Sequence, residues 1–198
     1  MAWRTDKQAV AAHHAVMNIP TTSPRFSSLS IALHWLTLAV LVGVYACINL
    51  TEIFPKGSDT RALLKTWHFM LGLTVLLLVV LRLFARAWGV TPPITPELPL
   101  WQTRLSGLIH LALYGLMLAM PLLGWWLLSA EGKPIPFFGW QLPPLTLENH
   151  DLAEQIKEVH ETIGSIGYFL IGAHAFAALY HHYVQRDNTL LRMLPGRR

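Results

Sequence analysis

Charged side chains are scarce in this chain of 198 residues. Only 13% of the residues are Asp, Glu, Lys or Arg, whereas 53% are hydrophobic. A soluble domain carries about 25% charged residues to cover its surface, so this composition excludes an ordinary water-soluble domain and indicates a membrane protein. The net charge of +4 does not indicate nucleic-acid binding, because the arginines flank apolar segments and form no single basic face. Membrane topology and contact with anionic lipid headgroups account for the net positive charge better.

Cysteine is almost absent. Cys47, the one cysteine, lies in an apolar run, so an intramolecular disulfide is excluded and the residue is interpreted as a small buried hydrophobe. Residues 1–25 lack the continuous apolar stretch of a secretory signal peptide, and a cleaved leader is not expected. The sequence also offers no cluster of three or four zinc ligands at one short-range site.

Long apolar segments are what the sequence has instead. Four of them approach the roughly 20 residues that a membrane-crossing helix needs. They are Ile31–Leu50, Trp67–Trp88, Leu105–Leu128 and Gly164–Val184. We therefore predict an all-α fold, a transmembrane four-helix bundle over residues 26–198, preceded by a polar cytoplasmic leader over residues 1–25. Pro121 is expected to kink the third segment.

The positions of Lys and Arg predict the orientation in the membrane. Four crossings place both termini on one side. That side, with the second connection, holds ten basic residues: Arg4, Lys7, Arg25, Arg82, Arg86, Arg104, Arg186, Arg192, Arg197 and Arg198. The other side holds five: Lys56, Arg61, Lys65, Lys133 and Lys157. Because basic residues accumulate on the cytoplasmic side, both termini are predicted to be cytoplasmic.

The third connection, residues 131–159, is long and contains four prolines. Its aromatic residues, Phe137, Phe138 and Trp140, favour a segment that lies over the outer end of the bundle as a lid. It ends in a polar stretch, Thr146–Glu161, which we predict to be a short helix capped by Thr146 and leading into the fourth segment.

Histidines occur inside the apolar segments, where ionisable residues are costly and mark functional sites. His160 and His174 are fourteen residues apart, so they share one helix face about 21 Å apart along the axis. His68 lies at the same outer depth as His160, and His34 lies at the same inner depth as His174. Two histidine pairs at two depths are what bis-imidazole ligation of two b-type haems requires. For any single histidine, a hydrogen bond between helices is an equally good interpretation.

Other residues agree with two stacked cofactors. Arg82 and Arg86 share the helix face of His68 at its inner end and are candidates to pair with a haem propionate. Gly72 and Gly164 each lie one turn after a histidine, where a flat macrocycle approaches the backbone. Glycine at such positions serves helix packing equally well.

Two further histidines leave alternatives open. His110, in the third segment, shares the inner half of the bundle and is a hydrogen-bonding neighbour, a core residue or a rival ligand. His181 lies near the cytoplasmic boundary on the His174 face. It suits a hydrogen bond to a quinone carbonyl with proton exchange, or an interfacial position beside Tyr180 and Tyr183.

Six segments together resemble the bacterial cytochrome b561 family, closest to its superoxide oxidase members. They are Ser30–Trp35, Trp67–His68, Lys157–Thr162, Gly167–His174, His181–Tyr183 and Asp187–Pro195. The resemblance covers about residues 25–198. It implies an inner-membrane four-helix bundle with two b haems, whose axial ligands are His34, His68, His160 and His174, and a quinone site that includes His181.

The resemblance also implies an activity. Such a protein oxidises periplasmic superoxide to oxygen and transfers the electrons through both haems to ubiquinone. A cationic outer funnel would attract the anion, and Lys157 and Lys65, each three residues before an outer histidine, are its candidate catalytic residues. The alternative is that these lysines are solvated loop charges, diluted by nearby glutamates.

Two other functions stay open from the sequence. Family relatives of one kind serve as electron-transfer subunits that dock to a hydrogenase or another dehydrogenase, so a protein partner is expected only under that hypothesis. A haem-free transporter or structural bundle is the remaining class.

Overall fold

Four long helices form the fold in this computed structural model, which describes residues 25–196. They are α1 (Ser28–Leu50), α2 (Asp59–Trp88), α3 (Leu100–Ala130) and α4 (His150–Tyr180). Each is long and apolar enough to cross a membrane, which confirms the predicted four-helix transmembrane architecture. The predicted leader, apart from Arg25, lies outside the described residues.

Side-chain caps fix where three of the helices begin. Ser27 accepts a hydrogen bond from the Ser30 amide at 3.2 Å, Ser58 caps α2 and Asn149 caps α4. Each cap satisfies a backbone N–H that the first helical turn leaves without a partner. The predicted helix that leads into the fourth segment is present, but the predicted cap is wrong: the helix begins at His150 after Asn149, and it runs without a break past His160 as part of α4. The polar start of α4 stays helical because Ala153 and Ile156 pack against Ala130 of α3.

Consecutive helices pack against each other, α1 on α2, α2 on α3 and α3 on α4. Val75, Val79 and Met117 form the buried centre between α2 and α3. Large side chains such as Phe169 and Phe176 point outward and are highly exposed. In a bilayer these side chains would face lipid. A lipid-facing surface needs few charged residues, which explains why the chain has so few. α3 continues through Pro121, and the kink there stays a prediction.

A short β-hairpin covers one end of the bundle, which we call the outer end. Strands β1 (Ile135–Phe137) and β2 (Trp140–Leu142) pair antiparallel. The two turn residues between them, Phe138 and Gly139, have φ values of 45° and 89°, as a tight two-residue hairpin turn requires. Phe138 lies edge-on to Trp67 of α2, with ring centres 6.3 Å apart. The predicted lid is therefore present as a hairpin packed on α2.

The opposite end, the inner end, carries the α2–α3 linker and the tail after α4. The tail leaves α4 through a π-helical turn, His181–Gln185, and forms a short 3₁₀ turn at Leu191–Met193. The indole N–H of Trp35 donates to the Met193 carbonyl at 2.7 Å. The tail is thereby fastened to the start of α1.

Candidate functional site: paired histidines in the bundle interior

The outer pair consists of His68 on α2 and His160 on α4. Their ring centres are 6.2 Å apart and their planes differ by 74°. Nδ1 of His68 lies 3.0 Å from the carbonyl oxygen of Val44 on α1. A carbonyl oxygen only accepts, so Nδ1 carries the proton and Nε2 keeps its lone pair. This is the tautomer of a metal-ligating histidine whose second nitrogen is held by a backbone carbonyl.

The inner pair consists of His34 on α1 and His174 on α4. Their ring centres are 6.3 Å apart, with an interplanar angle of 63°. At each depth, the partner of the α4 histidine therefore comes from a different helix. This is the pairing that depth along the apolar segments predicts.

The spacing of both pairs can be tested against iron ligation. Two imidazoles on opposite sides of one iron, each bonded at about 2 Å, have ring centres about 6.4 Å apart. The measured 6.2 and 6.3 Å fit that value. Nδ1 of His160 is also buried without a hydrogen-bond partner among the described residues. An unsatisfied buried group costs about 1–3 kcal/mol. Iron held at Nε2 would not satisfy Nδ1, so the fit to iron ligation rests on the ring spacing.

Arg82 reaches the inner pair from α2. One of its terminal nitrogens lies 3.1 Å from Nδ1 of His34, and its guanidinium sits 5.6 Å from the centre of the Tyr114 ring. A guanidinium only donates, so this contact places the His34 proton on Nε2. Iron ligation through Nε2 therefore requires that Arg82 release His34, which a carboxylate partner such as a haem propionate would favour. Arg86, one turn further, is exposed.

The predicted glycines differ in their surroundings. A Cβ placed on Gly72 would meet nothing within 4 Å, so open space lies beside the helix one turn after His68. A Cβ on Gly164 would touch the methyl group of Met120 at 3.4 Å, which favours helix packing there. Gly124 on α3 was missed, although its Cβ position is 3.5 Å from Cε1 of His160. No spacing rule links it to His160, because the two lie on different helices.

His110 lies beside the inner pair and is hydrogen-bonded within its own helix. Its Nδ1 lies 2.7 Å from the carbonyl oxygen of Ser106, one turn earlier on α3. Its ring centre is 5.3 Å from that of His174, closer than the partners within either pair. The contact confirms that His110 is a hydrogen-bonding residue, and because His68 makes the same kind of Nδ1 contact, it does not separate that role from the rival-ligand alternative.

The outer basic residues divide into free and engaged side chains. Lys65 is exposed and forms no ion pair among the described residues. Lys157 is exposed, with Nζ 3.8 Å from a Glu161 carboxylate oxygen. Arg61 is engaged structurally, since it binds Glu52 at 3.0 Å. Lys65 and Lys157 are therefore the outer cations that lie near the histidine pair in sequence and stay accessible.

His181 contacts a residue that the sequence analysis did not single out. Its Nδ1 lies 2.5 Å from Oδ2 of Asp187. Helical periodicity could not predict this contact, because the chain reverses between the two residues at Arg186, which has a φ of 55°. The structure thus gives His181 a fixed partner at the inner end.

Comparisons with known proteins agree with this arrangement. The profile of the prokaryotic cytochrome b561 family matches residues 25–196. The chain is 45% identical to cytochrome b561 homolog 1 of Escherichia coli K12 over 174 residues, which covers 88% of this chain and 99% of the relative. It is 36% identical over 174 residues to the probable superoxide oxidase CybB of Yersinia pestis, covering 88% and 98%. Cytochrome b561 homolog 2 of Escherichia coli K12 is 32% identical over 184 residues, covering 90% and 95%.

The match spans the whole bundle, from Arg25, three residues before α1, to Gly196 in the tail, and includes all four paired histidines. The chain therefore belongs to the prokaryotic cytochrome b561 family of membrane electron-transfer proteins with b-type haem.

Proposed function

We propose that this protein is a superoxide:ubiquinone oxidoreductase of the bacterial inner membrane, with two b haems. Two superoxide ions each lose one electron and become dioxygen, and one ubiquinone takes up the two electrons and two protons. The observation that carries the proposal is the presence of two histidine pairs at two depths, each with the ring spacing of a bis-imidazole iron site. The similarity to a relative named a probable superoxide oxidase supports the choice of donor.

The chain's own residues set where the cofactors would be held. His68 and His160 would hold the outer haem, and His34 and His174 the inner one. When bound, the haems supply one-electron redox chemistry whose potential depends on ligands, burial and hydrogen bonding. The Val44 carbonyl keeps His68 in the ligating tautomer.

The outer end supplies the electrostatics for an anionic donor. Lys65 and Lys157 sit one turn before His68 and His160, exposed at the hairpin end of the bundle. Positive potential near a site raises the encounter rate of a small anion. Because Lys157 lies near Glu161, Lys65 contributes the less compensated charge.

The inner end is proposed to face the cytoplasm. Most of the Lys and Arg residues lie at this end and in the termini, as cytoplasmic retention of basic residues predicts. Superoxide is then taken from the periplasm, and His181 at the inner end is proposed to contact ubiquinone.

The test uses purified, haem-loaded protein in detergent. A xanthine oxidase system generates superoxide, and stopped-flow spectroscopy follows the haem α-band with and without ubiquinone-1. We expect rapid haem reduction that superoxide dismutase abolishes, and reoxidation when ubiquinone-1 is added. Two spectroscopically visible haems that superoxide does not reduce would refute the proposed donor. Co-purification of a stable dehydrogenase would then favour the electron-transfer subunit.

A further inference from the structure

His181 and Asp187 form a hydrogen-bonded pair where the chain leaves α4 at the inner end. Nδ1 of His181 lies 2.5 Å from Oδ2 of Asp187, and Asp187 is only 4% exposed. The other carboxylate oxygen accepts the backbone N–H of Thr189 at 2.8 Å. Both carboxylate oxygens of Asp187 are thus engaged, which fixes the orientation of the side chain.

An unusual backbone path creates this pair. The last helical turn widens into a π-helical turn at His181–Gln185, and Arg186 then adopts the left-handed conformation. The chain reverses, and the backbone N–H of Asp187 donates to the carbonyl oxygen of His181 at 3.2 Å. π-helical turns occur frequently at functional sites. Here the turn folds Asp187 back onto a residue six positions earlier.

The tail beyond Asp187 is fastened to the α2–α3 linker. The backbone N–H of Asn188 donates to the Thr95 carbonyl at 3.3 Å, and the side-chain oxygen of Asn188 accepts the backbone N–H of Thr95 at 2.9 Å. The buried Arg192 donates to the carbonyl oxygen of Pro92. Asp187 is therefore held between the end of α4 and a tail that is hydrogen-bonded to the α2–α3 linker.

The pairing determines which nitrogen of His181 is available. Burial tends to raise the pKa of the Asp187 carboxyl, but hydrogen bonds from His181 and Thr189 outweigh burial and hold that pKa below its usual range. Asp187 is then ionised at neutral pH and accepts the Nδ1 proton of His181. Nε2 is left as the nitrogen that exchanges a proton, as in other carboxylate-oriented imidazoles.

The position of His181 suits proton delivery to an acceptor near the inner pair. It follows His174 by seven residues, which places it on the same face about 10 Å further along the axis. Reduction of a quinone requires protons at the quinone oxygens as well as electrons. A histidine between the inner pair and the end of the bundle can supply them.

We propose that Asp187 is a positioning residue that keeps His181 oriented to give a proton from Nε2 to ubiquinone as it is reduced. This rests on the proposed function, which supplies the quinone and the electrons. In each transfer the Nε2–H bond of the imidazolium breaks, an O–H bond forms on the quinone, and the neutral imidazole regains a proton from water at the inner end. Two such transfers complete one quinol.

The kinetic test isolates the acceptor side. Haem-loaded protein is reduced with dithionite, the excess is removed, and reoxidation by ubiquinone-1 is followed by stopped flow. In Asp187→Asn, which keeps the side-chain shape but removes the charge, we expect reoxidation to slow about tenfold or more, the range lost when general acid catalysis is weakened. The KM for ubiquinone-1 should change less than about threefold, since proton delivery and not binding is impaired. Asp187→Glu should recover part of the rate.

The matched control is Asp151→Asn, the same change at the outer start of α4, which should reoxidise at the parent rate. Haem content and thermal stability are measured first for every variant. If Asp187→Asn fails to fold, Asp187→Glu and His181→Gln carry the kinetic comparison. Where both single variants fold, the double variant Asp187→Asn, His181→Gln should reoxidise no more slowly than His181→Gln alone. Asp187 acts through His181 in this proposal, so its loss has no further effect once His181 is replaced.

A second readout does not depend on turnover. In protein labelled with ¹⁵N-histidine, the His181 signals, assigned by their loss in His181→Gln, should show a protonated Nδ1 in the parent and a tautomer mixture in Asp187→Asn. Unchanged reoxidation in Asp187→Asn, or additive effects in the double variant, would overturn the proposal while leaving the oxidoreductase function intact. Parent protein whose reduced haems ubiquinone-1 cannot reoxidise would overturn the proposed acceptor itself, and this inference with it.

Discussion

Nδ1 of His68 donates a hydrogen bond to the carbonyl oxygen of Val44 at 3.0 Å. The contact joins α2 to α1 and settles the tautomer of an interior histidine without any charged partner. The backbone carbonyl is present whichever residue occupies position 44. The orientation of the His68 ring therefore depends on how α1 and α2 pack and not on the Val44 side chain. Nε2 of His68 is left without a proton. The ring centres of His68 and His160 are 6.2 Å apart, and these two residues form the outer half of the proposed electron path.

The first prediction concerns the four paired histidines. His160→Ala should lose the outer haem and His174→Ala the inner one, because each ring would supply one of the two histidine ligands that hold the haem. The pyridine haemochrome assay should then give about one haem per chain in each variant, half of the two proposed. His110→Ala is the control, since His110 bonds to Ser106 of its own helix. Two haems retained in either ligand variant would refute the pairing.

Much of this arrangement could be predicted from sequence because it depends on depth along helices. A fixed rise per residue converts the positions of His68 and His160 into membrane levels. The continuity of α4 could not be predicted, since its polar first half resembles a separate helix until Ala153 and Ile156 pack on Ala130.

Contacts that depend on how helices face one another were also beyond the sequence. Gly124 beside His160 belongs to a different helix, and its sequence position carries no sign of the contact. Asp187 reaches His181 only because the backbone reverses at Arg186. Helical periodicity has no information on such a reversal.

The second prediction tests the open space beside Gly72. Gly72→Leu should lower the content of the outer haem, because the new side chain would occupy the space that a macrocycle needs, while nothing else lies within 4 Å to oppose it. Gly107→Leu on α3 is the matched control for the outer haem, since Gly107 also has open space beside it and is exposed. Both changes improve helix propensity by a similar amount. Equal haem content in the two variants would show that the space at Gly72 serves no cofactor.

The third prediction concerns attraction of superoxide. Lys65→Glu should slow haem reduction by superoxide by about three- to tenfold at low ionic strength, because steering by local charge typically changes encounter rates by tenfold or more. The effect should shrink as salt is added, since exposed charges are screened within about 10 Å at 0.1 M. Arg104→Glu, the same reversal at the inner end, should leave the rate unchanged. A rate for Lys65→Glu that is independent of salt would mean that Lys65 does not steer the donor.

The fourth prediction follows from the depressed pKa of Asp187. Burial alone would raise it, but hydrogen bonds from His181 and Thr189 hold the pKa below its ordinary value of 3.8. A carboxyl whose pKa is lower in the folded state adds stability above the unfolded pKa and loses it as pH falls through the folded one. The Tm difference between the parent and Asp187→Asn should therefore be full at pH 7 and shrink below about pH 4.

Thermal unfolding in detergent between pH 7 and pH 3, followed by circular dichroism, measures this difference. Groups that do not contact Asp187 contribute alike to both proteins, so the difference between the two curves leaves the contribution of Asp187. Asp151→Asn, which alters an exposed carboxylate at the outer end, should differ little from the parent across the range. A Tm gap between parent and Asp187→Asn that stayed constant to pH 3 would mean that the carboxylate charge does not stabilise the tail, and that the contact with His181 acts through shape alone.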